Sequence, residues 1–339
     1  MFDSIPSPPR SRGGAGVLCV AGSCLSLQFG ATVAHSLFPA AGAWGVTAVR
    51  LAIAAVILLA LARPAVRSWG RDTWISVALL GITLGAMNGF FYAAIARLPL
   101  GVAVTIEFLG PLLLAAALSR RAVVLGWVAL ALGGIALLGL DSFVTAEVLD
   151  PVGVAFVLCA GAMWACYILA GAKASAAVPG MEGLAVAFAI GAAVNAVPGA
   201  VGAAHIVTTP SLYLPAQLTG VLGSLVPYSL EMLALRRLSR PVFGVLLSLE
   251  PVFACLVGWI MLGQALSPLQ WVAVAAVIVA TTGNTLGSRG DAEGPPPATA
   301  TAVCRRPRWA YRSRAKGIPA DNPVGSSSEE HRGETADSW

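Results

Sequence analysis

One arginine and three glutamates sit in stretches that otherwise hold mostly apolar side chains. Arg50 lies in GVTAVRLA (45–52), Glu107 in PLGVAVTIEFLGPL (99–112), Glu231 in PYSLEMLAL (227–235) and Glu250 in LSLEP (247–251). Ionisable groups are expensive in such surroundings, and those that persist pair with one another or mark a substrate or proton path. A guanidinium presents a planar fork of donors that matches a carboxylate, and a glutamate at similar depth can take an ammonium. Placed along predicted helices, Arg50, Asn88 and Glu107 all fall ~10 Å below the outer membrane surface. Two readings follow: Arg50 and Glu107 form a fixed ion pair that holds two helices in register, or they divide the two charges of a bound zwitterion.

Two of the glutamates belong to a stretch that occurs twice. RLPLGVAVTIEFLGP (97–111) and RLSRPVFGVLLSLEP (237–251) superpose Arg97-Leu98 on Arg237-Leu238 and Pro111 on Pro251. Pro111 and Pro251 are expected helix breaks, because proline leaves the carbonyl four residues earlier without its donor. Such carbonyls can accept from a substrate ammonium. Tyr228 takes the place in the second copy that Asn88 takes in the first, and Glu250 falls near the midplane. Trp164 and Tyr167, with Phe91 and Tyr92, are candidate cavity aromatics, set against ordinary helix packing. Glu231 falls near a cytoplasmic helix end within reach of Arg236 or Arg237, where a plain salt bridge competes with a part in proton coupling. Glu107 and Glu250 are the other candidates for proton coupling. Gly81, Gly85 and Gly89 recur every fourth residue and form a ridge for close helix packing.

The elements that must position these residues are membrane helices. Hydrophobic residues make up 57% of the 339-residue chain and charged ones 11%, with a mean hydropathy of +0.81, against about 25% charged in soluble domains. Apolar runs long enough to span a bilayer are expected at 15–37, 45–62, 73–96, 100–118, 122–141, 151–172, 182–203, 214–235, 241–262 and 267–288. The fold class is therefore all-α, a polytopic membrane protein of about ten transmembrane helices. The partial match of AVRLAI (48–53) with AVAFAI (185–190) extends the repeat and defines two five-helix halves, 15–141 and 151–288. An odd number of spans inverts the second half, as in secondary transporters with a site between repeats. A lead (1–14) and a Pro-, Gly- and Arg-rich tail (289–339), expected to be disordered, flank them. Arg63, Arg67, Arg71, Arg120, Arg121, Lys173, Arg236, Arg237 and Arg240 fall on alternate loops. By the positive-inside rule that puts both termini in the cytoplasm of a plasma-membrane protein.

Several functions are argued against. Basic residues scattered over loop ends do not form a nucleic-acid surface. His35, His205 and His331 are the only histidines, too dispersed for a metal centre or a histidine triad. No phosphate-binding loop or nucleophile turn occurs, so no cofactor and no catalysis are expected. The six cysteines have no paired spacing.

With these residues in view, the chain resembles the drug/metabolite transporter superfamily, built from EamA-type five-helix halves, and within it the bacterial inner-membrane threonine/homoserine exporters. The resemblance is carried by HSLFP (35–39), GVTAVRLA, GAMNGFFY (85–92), PLGVAVTIEFLGPL, PYSLEMLAL and LSLEP. It departs at Gln264, where the family often carries glutamate. The resemblance implies export of threonine, homoserine or related small amino acids. The implied partners are a zwitterionic amino acid and membrane lipid, and a homodimer is compatible with it.

Overall fold

A backbone immersed in hydrocarbon must satisfy its own polar groups, and apolar runs of about 20 residues do so as helices. The computed structural model describes residues 11–119, 122–145, 149–178, 181–235, 237–238 and 240–287, and all regular structure among them is helical. The tail 289–339 and most of the lead 1–14 lie outside the described residues, as do Arg120, Arg121 and Arg236. The elements run α1 (Ser11–Ala62), α2 (Arg71–Ile95), α3 (Leu100–Glu107), α4 (Leu109–Ser119), α5 (Ala122–Thr145), α6 (Pro151–Ala177), α7 (Glu182–Ala196), α8 (Ala200–Thr208), α9 (Tyr213–Gly220), α10 (Val226–Leu235), α11 (Arg240–Leu247), α12 (Glu250–Leu262) and α13 (Pro268–Gly287). Six helices among the described residues are long and apolar enough to cross a membrane, or seven if the bent pair α7–α8 counts as one span.

The expected spans all fall on helix, and where they depart from straight rods a breaking residue explains it. The 52 residues of α1 would reach roughly 78 Å if straight, more than twice the ~30 Å hydrocarbon core. At Gly42 the backbone leaves the helix (φ 64°, ψ 160°), a left-handed conformation that glycine adopts without penalty. Two arms result, one before and one after Gly42, matching the expected 15–37 and 45–62. The span expected at 182–203 is instead α7 and α8 at 103° to each other, broken around Pro198, whose ring cannot continue the ladder. Residues 213–235 form one helical run, but Val221–Leu225 in its middle is a π-turn.

Both paired prolines sit just after a break. α3 ends at Glu107 and α11 at Leu247, each four residues before its proline, the position whose carbonyl loses its donor. Pro111 and Pro251 thus place these interruptions and do not themselves line the cavity described below.

Packing runs across the chain more than along it. α2 lies against α6 and α7, α5 against α13, α3 against α12, and α1 against α7 to α10 and α12. Crossings are close where glycines meet, as at Gly30 with Gly223, Gly45 with Gly202, Gly85 with Gly191, and Gly110 with Gly161. The ridge Gly81, Gly85, Gly89 seats α2 on Ile190, Gly191 and Asn195 of α7. Buried side chains such as Leu51, Leu84, Tyr92 and Phe188 fill the interior, while Leu18, Leu61, Val197, Val201 and Ile260 face outward, as a lipid-facing surface requires.

Candidate substrate site

Arg50 is 3% exposed and lies on the second arm of α1. Burying a guanidinium demands acceptors, and the neighbours supply neutral ones. Its Nη2 donates to Asn88 Oδ1, and its Nη1 donates to Tyr92 Oη (2.9 Å) and to the Gly223 carbonyl (3.1 Å). The guanidinium carbon stands 4.5 Å from the Tyr92 ring centroid, a cation–π distance. Nε has no partner. Asn88 in turn donates to the Leu84 carbonyl of its own helix (2.8 Å), which fixes the amide with its oxygen toward Arg50.

The π-turn explains how Gly223 takes part. A π-turn displaces carbonyls from the regular ladder, here those of Leu222 and Gly223. Ser26 on the first arm of α1 donates to Leu222 (2.8 Å) and Arg50 on the second arm donates to Gly223. Gly223 has no room for a side chain, because a Cβ there would lie 2.8 Å from Arg50 Nη1. On its other face it meets the Gly30 backbone.

Arg50 opens on a cavity of about 240 Å³. Asn88, Glu107, Trp164, Tyr167, Tyr228, Glu231 and Glu250 line it too, so the structure brings all of the predicted polar and aromatic site residues together. Leu27, Ala31, Met87 and Leu247 supply apolar wall. Trp164 is held by an edge-on contact with Phe108 (4.9 Å) and Tyr228 by one with Phe188 (5.1 Å). Phe91 and Tyr92 line the cavity as well.

The expected ion pair between Arg50 and Glu107 is absent. Among the described residues Glu107, 9% exposed, has no hydrogen-bond or ion-pair partner, and the salt bridge found joins Arg97 to Asp150. Asn88, Tyr92 and Gly223 occupy both terminal nitrogens of Arg50 before Glu107 is needed, which leaves Arg50 and Glu107 as separate groups lining the cavity. Glu231 accepts from Ser23 Oγ (2.9 Å) and lines the cavity; among the described residues it makes no salt bridge with Arg237, and Arg236 lies outside them. Glu250 accepts from Gln28 Nε2 (3.3 Å) and lies close enough to Glu107 and Glu231 for their charges to interact. Gln264 accepts from the Leu100 N–H (2.9 Å), serving the open start of α3, a task that needs an acceptor and no charge.

Sequence reasoning missed Ser23, Ser26 and Gln28 on the first arm of α1, and the role of Gly223. The signal for the first three was legible, since polar side chains in the apolar run SCLSLQFG (23–30) want a partner.

Comparison with known proteins adds the family. The EamA-like transporter family matches residues 151–286. The threonine/homoserine exporter RhtA of Escherichia coli (strain K12) is 41% identical over 269 residues, covering 79% of this chain and 90% of that protein. The protein of the same name from Salmonella typhimurium (strain LT2) is 41% identical, covering 78% and 90%. A solved crystal structure at 22% identity and a TM-score of 0.54, covering 82% of this chain and 98% of the other, shares the fold. A helical membrane bundle with a charged cavity at its centre and relatives of this identity over most of its length belongs to the EamA-like transporter family.

Proposed function

We propose that the chain exports small zwitterionic amino acids, threonine and homoserine among them, across the bacterial inner membrane. The observation that carries this is a guanidinium and a carboxyl group lining one cavity without pairing: Arg50, whose partners are all neutral, and Glu107, which has none among the described residues. Arg50 takes the substrate carboxylate, and Glu107 takes the ammonium. Asn88 and Tyr92 hold the guanidinium, while Trp164, Tyr167 and Tyr228 flank the substrate's aliphatic part. The names of the RhtA relatives support the substrate class.

Transport proceeds by alternating access between two inverted halves, 15–141 and 151–288, with both termini in the cytoplasm. The like placement of the breaks before Pro111 and Pro251 supports the pseudo-symmetry, and the family match over 151–286 spans nearly one such half. Protons couple through Glu107 and Glu250, which face the same cavity and interact. The substrate and a proton then compete for one carboxylate, the arrangement an exchanger needs. A homodimer is compatible with the apolar outer surface.

The test is expression in cells lacking their own exporters, with efflux of preloaded labelled homoserine and threonine followed beside growth at inhibitory concentrations. Faster efflux and raised tolerance, both lost in Glu107→Gln, are expected. Unchanged efflux with the protein demonstrably in the membrane overturns the substrate assignment.

A further inference from the structure

The cavity wall carries more carboxyl groups than a zwitterion uses. Arg50 contributes one positive charge, and Glu107, Glu250 and Glu231 contribute three carboxyl groups. A bound zwitterion matches Arg50 and Glu107 and leaves Glu250 and Glu231 over. The protein partners of those two are neutral donors, the Gln28 amide and the Ser23 hydroxyl, which satisfy lone pairs without balancing charge. The unpartnered Glu107, nine-tenths buried and lining the same space, is taken by the α-ammonium and Glu250 by the coupled proton, which leaves Glu231 for a second donor group. Glu231 lies three residues after Tyr228 and hence on the same face of α10, and Tyr228 approaches Tyr167 across the cavity. Two aromatic rings beside a carboxylate make a seat for an ammonium.

We propose that the chain also exports amino acids with a second ammonium on a short side chain, and that Glu231 is the residue that selects them. The α-carboxylate and α-ammonium occupy Arg50 and Glu107, so this inference rests on the zwitterion site proposed above. The second ammonium reaches Glu231 between Tyr167 and Tyr228.

The probe is 2,4-diaminobutyrate, which is homoserine with its hydroxyl replaced by an ammonium. Full-length protein in liposomes is assayed for exchange of labelled homoserine. Diaminobutyrate is expected to compete at concentrations within about tenfold of unlabelled homoserine and, loaded inside, to drive exchange. In Glu231→Gln the preference for diaminobutyrate over homoserine is expected to fall roughly thirtyfold or more, and in Glu231→Asp to be largely kept. The thermal unfolding midpoint of each purified variant is the check on folding, and wild-type competition decides the substrate class whatever the variants do. If homoserine exchanges but a hundredfold excess of diaminobutyrate neither competes nor drives exchange, this inference is overturned and the zwitterion site stands. Competition that is equally strong in Glu231→Gln overturns the role of Glu231. Absence of homoserine exchange overturns the zwitterion site and this inference with it.

Discussion

Arg50 is held by an amide oxygen, a phenol and a main-chain carbonyl, partners that fix its orientation without neutralising it. A lysine at this position keeps the charge but cannot hold three acceptors and a ligand with one planar fork. Arg50→Lys is therefore expected to weaken homoserine binding by roughly thirtyfold, about 2 kcal/mol, read as loss of the ligand-induced rise in Tm. Outside the spans, Arg97 donates to Asp150 (2.8 Å). That bond, helped by the Val152 N–H, holds the Asp150 carboxyl below the usual carboxylate range. Stability from this pair is fully present above the unfolded value of about 3.9 and is lost as pH falls through the lower folded value. The Tm gap between wild type and Asp150→Asn should stay flat from about pH 8 to pH 5 and close only below about pH 4. The residue types of Arg50, Asn88 and Glu107 were legible in the sequence as a polar group on neighbouring helices, and they line one cavity. Their pairing was not, because it depends on how each helix is turned about its axis, and Tyr92 and Gly223 reach Arg50 where linear spacing suggested Glu107.

At the scale of elements, the π-turn Val221–Leu225 is gripped by both arms of α1. Gly30→Ala would bring a Cβ to 2.5 Å from the Gly223 backbone nitrogen, and backbone cannot yield as a side chain can. A loss of about 1–3 kcal/mol is expected, measured as a lower Tm of the detergent-purified protein. Gly223→Ala meets the tip of the Arg50 side chain rather than backbone and pushes it off its partners, so the fold should survive while homoserine affinity falls. Pro251→Ala restores a donor to the Leu247 carbonyl. It should join α11 to α12, raise Tm and slow efflux, with the two measurements moving in opposite directions. The breaks before Pro111 and Pro251 were legible because proline acts locally. The π-turn was only half legible: Pro227 lies four residues after Gly223 and so deprives that carbonyl of its donor, but the partners that take up the freed carbonyls, Ser26 and Arg50, come from distant sequence. The right-angle bend between α7 and α8 lay between these cases: Pro198-Gly199 marked a break, but hydropathy alone read the stretch as one span.

For the whole molecule, the distribution of arginines across loops predicts that a reporter fused after residue 287 and one inserted in the Arg63–Arg71 connection lie on the same, cytoplasmic side. Reporter activity at opposite sides would refute that orientation. The helical class and nearly every span could be read from composition and run length, because lipid imposes one rule on all of them. How the helices pair could not, since Ala-, Leu- and Val-rich faces look alike until glycines such as Gly85 and Gly191 are seen to meet. One pairing has a temporal side. α5 rests on α13, with Gly134 against the Ala273 carbonyl and Trp127 over Gly283, and α13 leaves the ribosome well after α5. Until it arrives, α5 waits in the bilayer with its seat empty. A nascent chain stalled before residue 268 is thus an unfinished object that a membrane protease could tell from a finished one.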